Sequence, residues 1–355
     1  MKALILCGFF NIIRVLQKVN QKNFSEDVLR ALVTGATGFI GSHLVEHLLQ
    51  KGWTVRCLLR SSSNPRWLKG LPVEIVQGDY FNRKTLQPSL EGSDYVYHAA
   101  GLTKAKAKQD YYRANHAVTR NLLEATKEFN PEIRRFVYIS SLSCVGPSTN
   151  GTPVDESAPL RPITTYGKSK MEAELECHRS MDSLPITIVR PAAVYGPKDT
   201  DIYEFFRNVS RGILPTVGFT DRLISLVHVR DVVQTIVLAA ENERSTGETY
   251  FSSNEEPCSW MEVGKLTAKV MGKKIVRIPV PKALVFAVAA LAEFGALFSD
   301  KAPLINLEKA KEIVQSGWIC SVEKARNELN YRQQVSLEDG IRETVEWYRE
   351  NGWLS

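Results

Sequence analysis

Tyr166 and Lys170 have a spacing that could support acid–base chemistry. They stand four residues apart in YGKSKMEAELECH, a pattern that predicts a helix, so both side chains are expected on one helix face. A phenol has a pKa of about 10, and a neighbouring ammonium is expected to lower it by favouring the phenolate. Ser141, at the end of a predicted strand, could hydrogen-bond a substrate oxygen. These three residues could therefore move a proton to or from a hydroxyl group.

A glycine-rich turn, TGATGFIGS, lies between a short β-branched run and a helical pattern. Gly35 is expected to permit a tight turn, and Gly38 to let backbone N–H groups approach a pyrophosphate. Gly41 would let the following helix pack closely. The spacing is G-x-x-G-x-x-G and not G-x-G-x-x-G, but the order of strand, turn and helix predicts a dinucleotide site. Beside such a site, the Ser, Tyr and Lys set predicts hydride exchange with a nicotinamide.

Arg60 directly follows the second predicted strand, at the position that usually decides between cofactors in such folds. An acid at this position accepts the ribose 2′-hydroxyl of NAD, whereas a base accommodates the 2′-phosphate of NADP. Arg60 is followed by three serines, with no carboxylate nearby. The sequence therefore favours NADP(H) over NAD(H), and the alternative is a solvated arginine on an enzyme that accepts either.

Short β-branched runs alternate with helical patterns from residue 29 onward, which is typical of parallel strands joined by crossover helices. The predicted strands are 31–35, 54–59, 73–79, 94–101, 135–141, 186–190 and 248–253. This alternation predicts an α/β Rossmann fold: a doubly wound parallel sheet flanked by helices, with a smaller, mostly helical C-terminal substrate lobe.

The predicted organisation has three parts. Residues 1–28 form an N-terminal extension, and residues 29–195 form the NAD(P)-binding Rossmann domain, to which about 226–253 return. The substrate lobe comprises residues 196–225 and 254–355.

Composition excludes several classes of protein. Of the 355 residues, 44% are hydrophobic and 24% charged, which excludes a disordered chain, a collagen or a disulfide-stapled miniprotein. The net charge is +6 without a dense basic cluster, so no nucleic-acid partner is expected. Six scattered cysteines predict reduced thiols and a cytoplasmic location. No metal site is expected, since His43 and His47 lack a third ligand.

Two apolar segments are too short to span a bilayer. The first, within residues 1–28, is interpreted as a loosely packed extension, with a weak signal or an interfacial helix as alternatives. The second, residues 283–298, is interpreted as a core helix or a lid over an apolar substrate. A peripheral membrane contact through 283–298 remains open, so the protein could be membrane-associated.

From about residue 30 to its C-terminus the chain resembles the extended (atypical) short-chain dehydrogenase/reductase superfamily and its NAD-dependent epimerase/dehydratase family. The matching segments are TGATGFIG, GDYFN, HAAG, RANHAVTRNLLEAT, VYISSLSCVG, YGKSK, VRPAAVYGP and LVHVRDVV. The resemblance implies homodimerisation through the helices that contain Asn115 and Tyr166.

The resemblance also implies site residues. The catalytic residues would be Ser141 in preference to Ser140, together with Tyr166, Lys170 and Asn115. Tyr166 and Lys170 would also contact the cofactor. The other implied cofactor contacts are Gly35, Thr37, Gly38, Phe39, Ile40, Gly41, Arg60, Asp79, Tyr80, Ala99, Ala100, Gly101, Pro191 and Val194.

Three activity classes share this scaffold, and the sequence favours one of them. A dehydratase of the family would carry Asp-Glu after the catalytic serine, where this chain has Leu142 and Ser143. Sugar-nucleotide members commonly place an arginine four residues before the histidine of HVxD. Here that position is Ile224, and Arg222 is displaced. Several other segments resemble the branch of 3β-hydroxysteroid dehydrogenases and dihydroflavonol-4-reductase-like proteins.

The sequence therefore predicts an NAD(P)-dependent oxidoreductase that interconverts an alcohol and a ketone or aldehyde. The expected substrate is hydrophobic and steroid-, flavonoid- or isoprenoid-like. The alternatives are an NDP-sugar epimerase and a catalytically silent NAD(P)-binding protein.

Overall fold

The computed structural model describes residues 28–296 and 306–354. The N-terminal extension predicted at 1–28 therefore lies outside the described residues, apart from Val28. The strands are β1 (Arg30–Thr34), β2 (Thr54–Leu59), β3 (Glu74–Gln77), β4 (Tyr95–His98), β5 (Arg135–Ile139), β6 (Ile186–Pro191), β7 (Ala193–Tyr195), β8 (Ile213–Val217), β9 (Leu223–Ile224), β10 (Leu226–His228), β11 (Thr249–Ser252), β12 (Cys258–Ser259), β13 (Val276–Val280) and β14 (Gly317–Trp318).

The α-helices lie between these strands and in the C-terminal region. They are α1 (Phe39–Gln50), α2 (Gln87–Leu90), α3 (Lys108–Tyr111), α4 (Val118–Phe129), α5 (Thr165–Ser180), α6 (Tyr203–Ser210), α7 (Val229–Glu241), α8 (Trp260–Met271), α9 (Lys282–Ala296), α10 (Leu307–Ile313), α11 (Glu323–Leu329) and α12 (Leu337–Glu350). A π-helical turn, Tyr112–Ala117, joins α3 to α4.

Seven parallel strands form the main sheet, in the order β11-β6-β5-β4-β1-β2-β3. Helices α1 and α7 pack on one face of this sheet, and α4 and α5 pack on the other. The predicted doubly wound α/β fold is confirmed. The strand order reverses between β1 and β4, and ligands of such sheets bind at the carboxyl ends of the strands beside this switch point.

Both faces of the central strands are buried, because helices cover the sheet on each side. Along β1, Ala31 and Val33 pack into one hydrophobic cluster while Leu32 packs into the other, as the alternation of side chains along a strand requires. The continuous apolar runs of the sequence follow from this double burial.

The C-terminal region contains short strands as well as helices. Strands β8 and β13 form a parallel pair, and β9 lies between β12 and β14. Helices α6, α8 and α12 share a cluster that includes the buried aromatic side chains Phe206 and Tyr348. Within residues 28–296 and 306–354, no helix has the length and apolar content needed to cross a bilayer.

Helix α9 contains most of the apolar segment predicted at 283–298, and it is not a core helix. Only Val285 and Ala289 of this helix are buried. They pack with Ala310 of α10 and leave the other side of the helix exposed. The interpretation of this segment as a core helix is therefore wrong, because only one side of α9 is buried.

A buried histidine joins the two strands at the switch point. His98 Nδ1 lies 2.7 Å from Thr34 Oγ1 of β1, and His98 Nε2 lies 2.9 Å from Thr119 Oγ1 of α4. Burial lowers the pKa of His98 to about 3, and the charge of Lys170 adds to this effect. The imidazole is therefore neutral in the folded protein at ordinary pH.

The pKa of His98 predicts a loss of stability in acid. Below about pH 6.5 the His98 imidazole of the unfolded chain binds a proton, whereas in the folded protein it stays neutral down to about pH 3. The free energy of unfolding therefore falls as the pH falls through this window. A His98→Asn variant should reduce this slope by up to about 1.4 kcal/mol per pH unit. Urea unfolding at several pH values would measure the slope.

The matched control is His178→Asn, because the His178 side chain is exposed in the folded protein. This variant should keep the wild-type slope. An unchanged slope in His98→Asn would show that burial of this imidazole does not govern the acid dependence.

Candidate active site

The glycine turn after β1 packs directly against the chain that follows β4. Gly35 has a φ of 69°, and a Cβ there would lie 2.6 Å from the Ala100 nitrogen. A Cβ at Gly41 would lie 2.1 Å from the Gly35 carbonyl oxygen. Larger residues at these two positions would force the turn apart. Gly38 precedes α1, whose first turn carries no acidic side chain and so leaves its N–H groups suited to an anion.

A groove runs along the carboxyl ends of β1, β2 and β4, at the switch point of the sheet. Its lining residues are Gly35, Thr37, Gly38, Leu58, Leu59, Arg60, Ser63, Tyr80, Ala99, Ala100, Gly101, Leu102, Ala114 and Val118. Eight of these are predicted cofactor contacts, and the structure brings them together. A groove lined by glycines and small residues fits a dinucleotide, because the backbone of these residues can approach a pyrophosphate.

The other predicted cofactor contacts are not part of this lining. Phe39, Ile40 and Gly41 form the first turn of α1, directly after the groove residues Thr37 and Gly38. The exposed Asp79 carboxylate accepts the Phe81 N–H at 2.9 Å and so caps its own turn.

Pro191 ends β6, two strands beyond β4 in the main sheet, and Val194 lies in β7, which pairs with β10. A contact of either residue with a nicotinamide stays a prediction.

Arg60 lies exposed at the rim of the groove. The backbone N–H of Arg60 donates to Ser63 Oγ at 3.1 Å, which orders the loop after β2. Burial raises the pKa of the nearby Tyr80 to about 12, while a hydrogen bond with Thr34 and the positive charge of Arg60 oppose the increase. The guanidinium therefore acts electrostatically on a residue that lines the groove.

Ser141 and Tyr166 meet through their side chains. The Ser141 side chain lies close enough to the Tyr166 phenol to affect its pKa, and Ser141 Oγ accepts the Ser143 N–H at 3.1 Å. Ser140, by contrast, donates to the buried Glu174 carboxylate. The structure thus brings Ser141, and not Ser140, to the phenol.

The expected decrease in the pKa of Tyr166 is not found. Burial raises the pKa of this phenol well above its ordinary value, and the nearby Ser141 side chain opposes the increase only in part. The nearby ammonium of Lys170 has other partners: Nζ donates to the Ile139 carbonyl at 2.6 Å and lies 4.3 Å from the centroid of the Tyr138 ring. The predicted lowering of the Tyr166 pKa is therefore not found, and stabilisation of a phenolate by Lys170 stays a prediction.

Lys170 lies between the predicted catalytic residues and the groove. A Cβ at Gly101 would lie 4.0 Å from Lys170 Nζ, so this ammonium lies beside a residue that lines the groove. Burial lowers the pKa of Lys170 to about 8, against the opposing effects of Cys144, Glu174 and Cys177. The structure thus places Lys170 beside the groove at Gly101, and its contact with a substrate or a dinucleotide stays a prediction.

Asn115 lies in the π-helical turn and holds the loop after β4. Asn115 Oδ1 accepts the Leu102 N–H at 2.7 Å, and Nδ2 donates to the Leu102 carbonyl at 3.1 Å and to Ser169 Oγ at 2.8 Å. The side chain is fully buried. In this geometry Asn115 acts as a positioning residue between the groove and α5, and its catalytic role stays a prediction. π-Helical turns occur often at functional sites.

Sequence reasoning missed a buried ion pair behind the catalytic residues. Arg190 Nη2 lies 2.6 Å from Glu174 Oε2, and Nε lies 3.0 Å from Oε1. The same carboxylate accepts from Ser140, next to Ser141. Glu174 follows Lys170 by four residues on α5, and this periodicity was the only available signal.

Sequence reasoning also missed the contact of α10 with the start of α5. Glu308 accepts the Thr165 N–H at 2.9 Å and the Thr165 hydroxyl at 2.7 Å. Thr164 Oγ1 donates to Glu312 at 3.2 Å. These bonds tie the C-terminal region to the turn that carries Tyr166. The two partners are 143 residues apart, so no local pattern could reveal the contact.

No metal site is found in the part of the chain that the structure describes, where no group of three or more His, Cys, Asp or Glu residues could hold an ion. The five described cysteines, Cys57, Cys144, Cys177, Cys258 and Cys320, are free and buried.

Comparison with known proteins gives reductases and dehydrogenases as relatives. Ceramide reductase of Caulobacter vibrioides is 31% identical over 326 residues, which cover 91% of this chain and 95% of the relative. The 2-alkyl-3-oxoalkanoate reductase of Shewanella oneidensis is 28% identical over 89% of this chain and 85% of its own length. The 3β-hydroxysteroid dehydrogenase/Δ5→4-isomerase of Mycobacterium tuberculosis is 26% identical over 94% of each chain.

Solved structures share the fold. The crystal structure of gox2253 superposes with a TM-score of 0.78 and 28% identity, covering 92% of this chain and 99% of that chain. UDP-glucose 4-epimerase of Thermotoga maritima gives a TM-score of 0.73 at 23% identity, over 91% and 99% of the two chains, and shows the fold alone.

Residues 31–251, more than half of the chain, match the model of the NAD dependent epimerase/dehydratase family. This match agrees with the glycine turn, the groove at the switch point and the Ser141–Tyr166 contact. The chain belongs to the NAD-dependent epimerase/dehydratase family, within the extended short-chain dehydrogenases/reductases.

Proposed function

We propose that this protein is an NADP(H)-preferring oxidoreductase that interconverts a ketone or aldehyde and an alcohol on a hydrophobic substrate. The observation that carries this proposal is the meeting of the Ser141 and Tyr166 hydroxyls, with Lys170 beside the groove at Gly101. A bound nicotinamide would supply or accept the hydride. The family and the glycine turn support an NAD(P) cofactor.

The side chains at this place suit proton donation to a carbonyl oxygen. Because burial raises the pKa of Tyr166, the phenol keeps its proton at neutral pH and can donate it as hydride reaches the carbon. The Ser141 hydroxyl would hold the same oxygen. In the oxidative direction the phenolate must form, and the charge of Lys170 would stabilise it once substrate and cofactor reorganise the site.

The position of Arg222 argues against a sugar-nucleotide substrate. Its guanidinium donates to the backbone carbonyls of Val217, at 3.3 Å, and of Val314 and Gln315. These bonds hold the arginine against the end of α10. The position at which sugar-nucleotide members commonly carry a phosphate-binding arginine is occupied here by the buried Ile224. A diphosphate would find no free bidentate donor at this position.

The relatives support an apolar substrate. Their names include ceramide reductase, a farnesyl-dihydroquinoline-oxide ketoreductase from Stigmatella aurantiaca and 3β-hydroxysteroid dehydrogenase. We propose the same chemistry for this chain, with a carbonyl or hydroxyl group on a long-chain, isoprenoid or polycyclic skeleton.

A substrate panel tests the class of reaction. Purified protein with NADPH should reduce at least one member of a panel of ketosteroids, flavonoids and isoprenoid ketones, followed by cofactor absorbance. Micromolar binding of a UDP-sugar without hydride exchange on any of these ketones would overturn the proposal in favour of an epimerase.

A Tyr166→Phe variant should lose about 10²- to 10⁴-fold in kcat for the substrate found by the panel, because general acid–base catalysis contributes on this scale. The matched control is Tyr111→Phe, whose ring packs edge-on at 6.2 Å from the Tyr166 ring and whose hydroxyl donates to the Thr103 carbonyl at 3.5 Å. The control should keep most of its turnover. Unchanged turnover in Tyr166→Phe would exclude the assigned proton donor.

An Arg60→Ala variant should bind NADPH about ten- to a hundredfold more weakly while its affinity for NADH changes little, because the lost hydrogen bonds are to a charged phosphate. Fluorescence titration with both cofactors would measure the ratio of dissociation constants. Arg66→Ala, in the same loop but with its guanidinium on the Trp67 ring, is the control. An unchanged ratio in Arg60→Ala would contradict the NADP(H) preference.

A further inference from the structure

Helix α9 presents apolar side chains to solvent along most of its length. Among its exposed residues are Leu284, Val288 and Leu291, and Leu291 has 72% of its surface exposed. The charged residues of this fifteen-residue helix are Lys282 and Glu293. A helix on the surface of a protein in water normally has a polar outer face, so this face is suited to contact with another apolar phase.

Neighbouring elements extend the exposed apolar surface. Val217 at the end of β8 and Val280 at the end of β13 pack against the buried line of α9. Phe219, two residues after β8, is 83% exposed, and within β13 Val276 is 67% exposed, together with Ile278. We call the following set the docking surface: Phe219, Val276, Ile278, Leu284, Val288 and Leu291.

Basic residues surround the docking surface. Between Glu262 and Glu293 the chain has no acidic residue, and its basic residues are Lys265, Lys269, Lys273, Lys274, Arg277 and Lys282. Lys273, Lys274 and Lys282 are exposed on the segment that leads into α9. Arg277 donates to Thr216 Oγ1 at 3.0 Å and to the Phe219 carbonyl at 2.8 Å, which holds its charge beside Phe219.

Among the residues that the structure describes here, Glu293, Glu308 and Asp221 have hydrogen-bond partners within the chain. Glu293 accepts the Leu307 N–H at 3.2 Å, and Glu308 is bonded to Thr165. Asp221 accepts the N–H of Arg222 at 3.0 Å and is followed by that arginine. The docking surface thus combines a central apolar area with a positively charged rim.

We propose that the docking surface binds an anionic lipid bilayer. Apolar side chains that enter the interface and lysines that stay at the headgroups are the combination that peripheral membrane segments use. A second copy of the chain is a poorer partner, because two-fold association through this surface would bring two identical basic rims together. A bilayer of anionic lipids supplies both the apolar phase and the opposite charge.

The docking surface is connected to the catalytic residues through α10. Ala310 packs with Val285 and Ala289 of α9, and Glu308, two residues before Ala310, bonds to Thr165 beside Tyr166. A docked protein would therefore hold the start of α5 close to the lipid. If the proposed function holds, docking would bring the turn that carries Tyr166 near the phase in which an apolar substrate dissolves.

Vesicle flotation with the full chain tests the docking itself, without substrate or cofactor. The protein should float with vesicles of equimolar phosphatidylcholine and phosphatidylglycerol, and much less with phosphatidylcholine alone. Added salt should weaken the binding, because it screens charges beyond about 10 Å at 0.1 M. A Val288→Asp/Leu291→Asp variant should lose at least about tenfold in vesicle affinity.

The matched control is Ile75→Asp, which places the same charge on a side chain that is 49% exposed on the edge strand β3. This variant should float like the wild type. Lys273→Glu/Lys274→Glu/Lys282→Glu should remove the preference for phosphatidylglycerol. Thermal unfolding monitored by circular dichroism checks that each variant is folded.

Three results would overturn the proposal: no flotation of the wild type, equal flotation of the wild type and Val288→Asp/Leu291→Asp, or a lipid-free dimer that this variant dissociates. The last result would assign the surface to self-association. Failure of ketone reduction in the substrate panel would leave a positive flotation result standing, so the two proposals fail separately.

Discussion

The backbone at Gly35 touches the backbone of Ala99 and Ala100 with no room for a side chain between them. The rest of the site depends on this contact, since it closes the carboxyl ends of β1 and β4 against each other at the switch point. Thr34 and His98 bond directly beneath it. The groove opens on one side, and on the other Gly101 leads to Asn115 and Lys170. Small residues are required here because backbone, and not side chains, forms the surface.

Burial, more than pairing, sets the proton chemistry of the site. The phenol of Tyr166 and the ammonium of Lys170 are both shifted toward their neutral forms, because charge is costly in a low-dielectric interior. The ion pair of Glu174 and Arg190 lies beside them and adds no net charge. It holds Ser140 and thus the backbone at Ser141. The ion pair is therefore a means of fixing geometry, and breaking one partner would leave a buried charge unpaired.

The C-terminal region serves the site through α10. Its glutamates satisfy the free N–H and hydroxyl groups at the start of α5, while Arg222 ties its last carbonyls to β8. One short helix thus fixes the orientation of the turn that carries Tyr166 and supports α9 from beneath. The exposed apolar face of α9 follows from the same arrangement, since α10 covers only one line of that helix.

The sequence by itself determined the sheet and the glycine turn. It also identified Ser141, Tyr166, Lys170 and Arg60 as candidate residues of one site. These features depend on local periodicity and on spacings within single elements, which the order of residues records directly. Tertiary structure alone decided that Asn115 clamps Leu102, that Arg222 is engaged by backbone carbonyls, and that α9 is not buried. It also decided the direction of the Tyr166 pKa shift, because desolvation depends on every segment that packs around a group and on contacts more than a hundred residues apart.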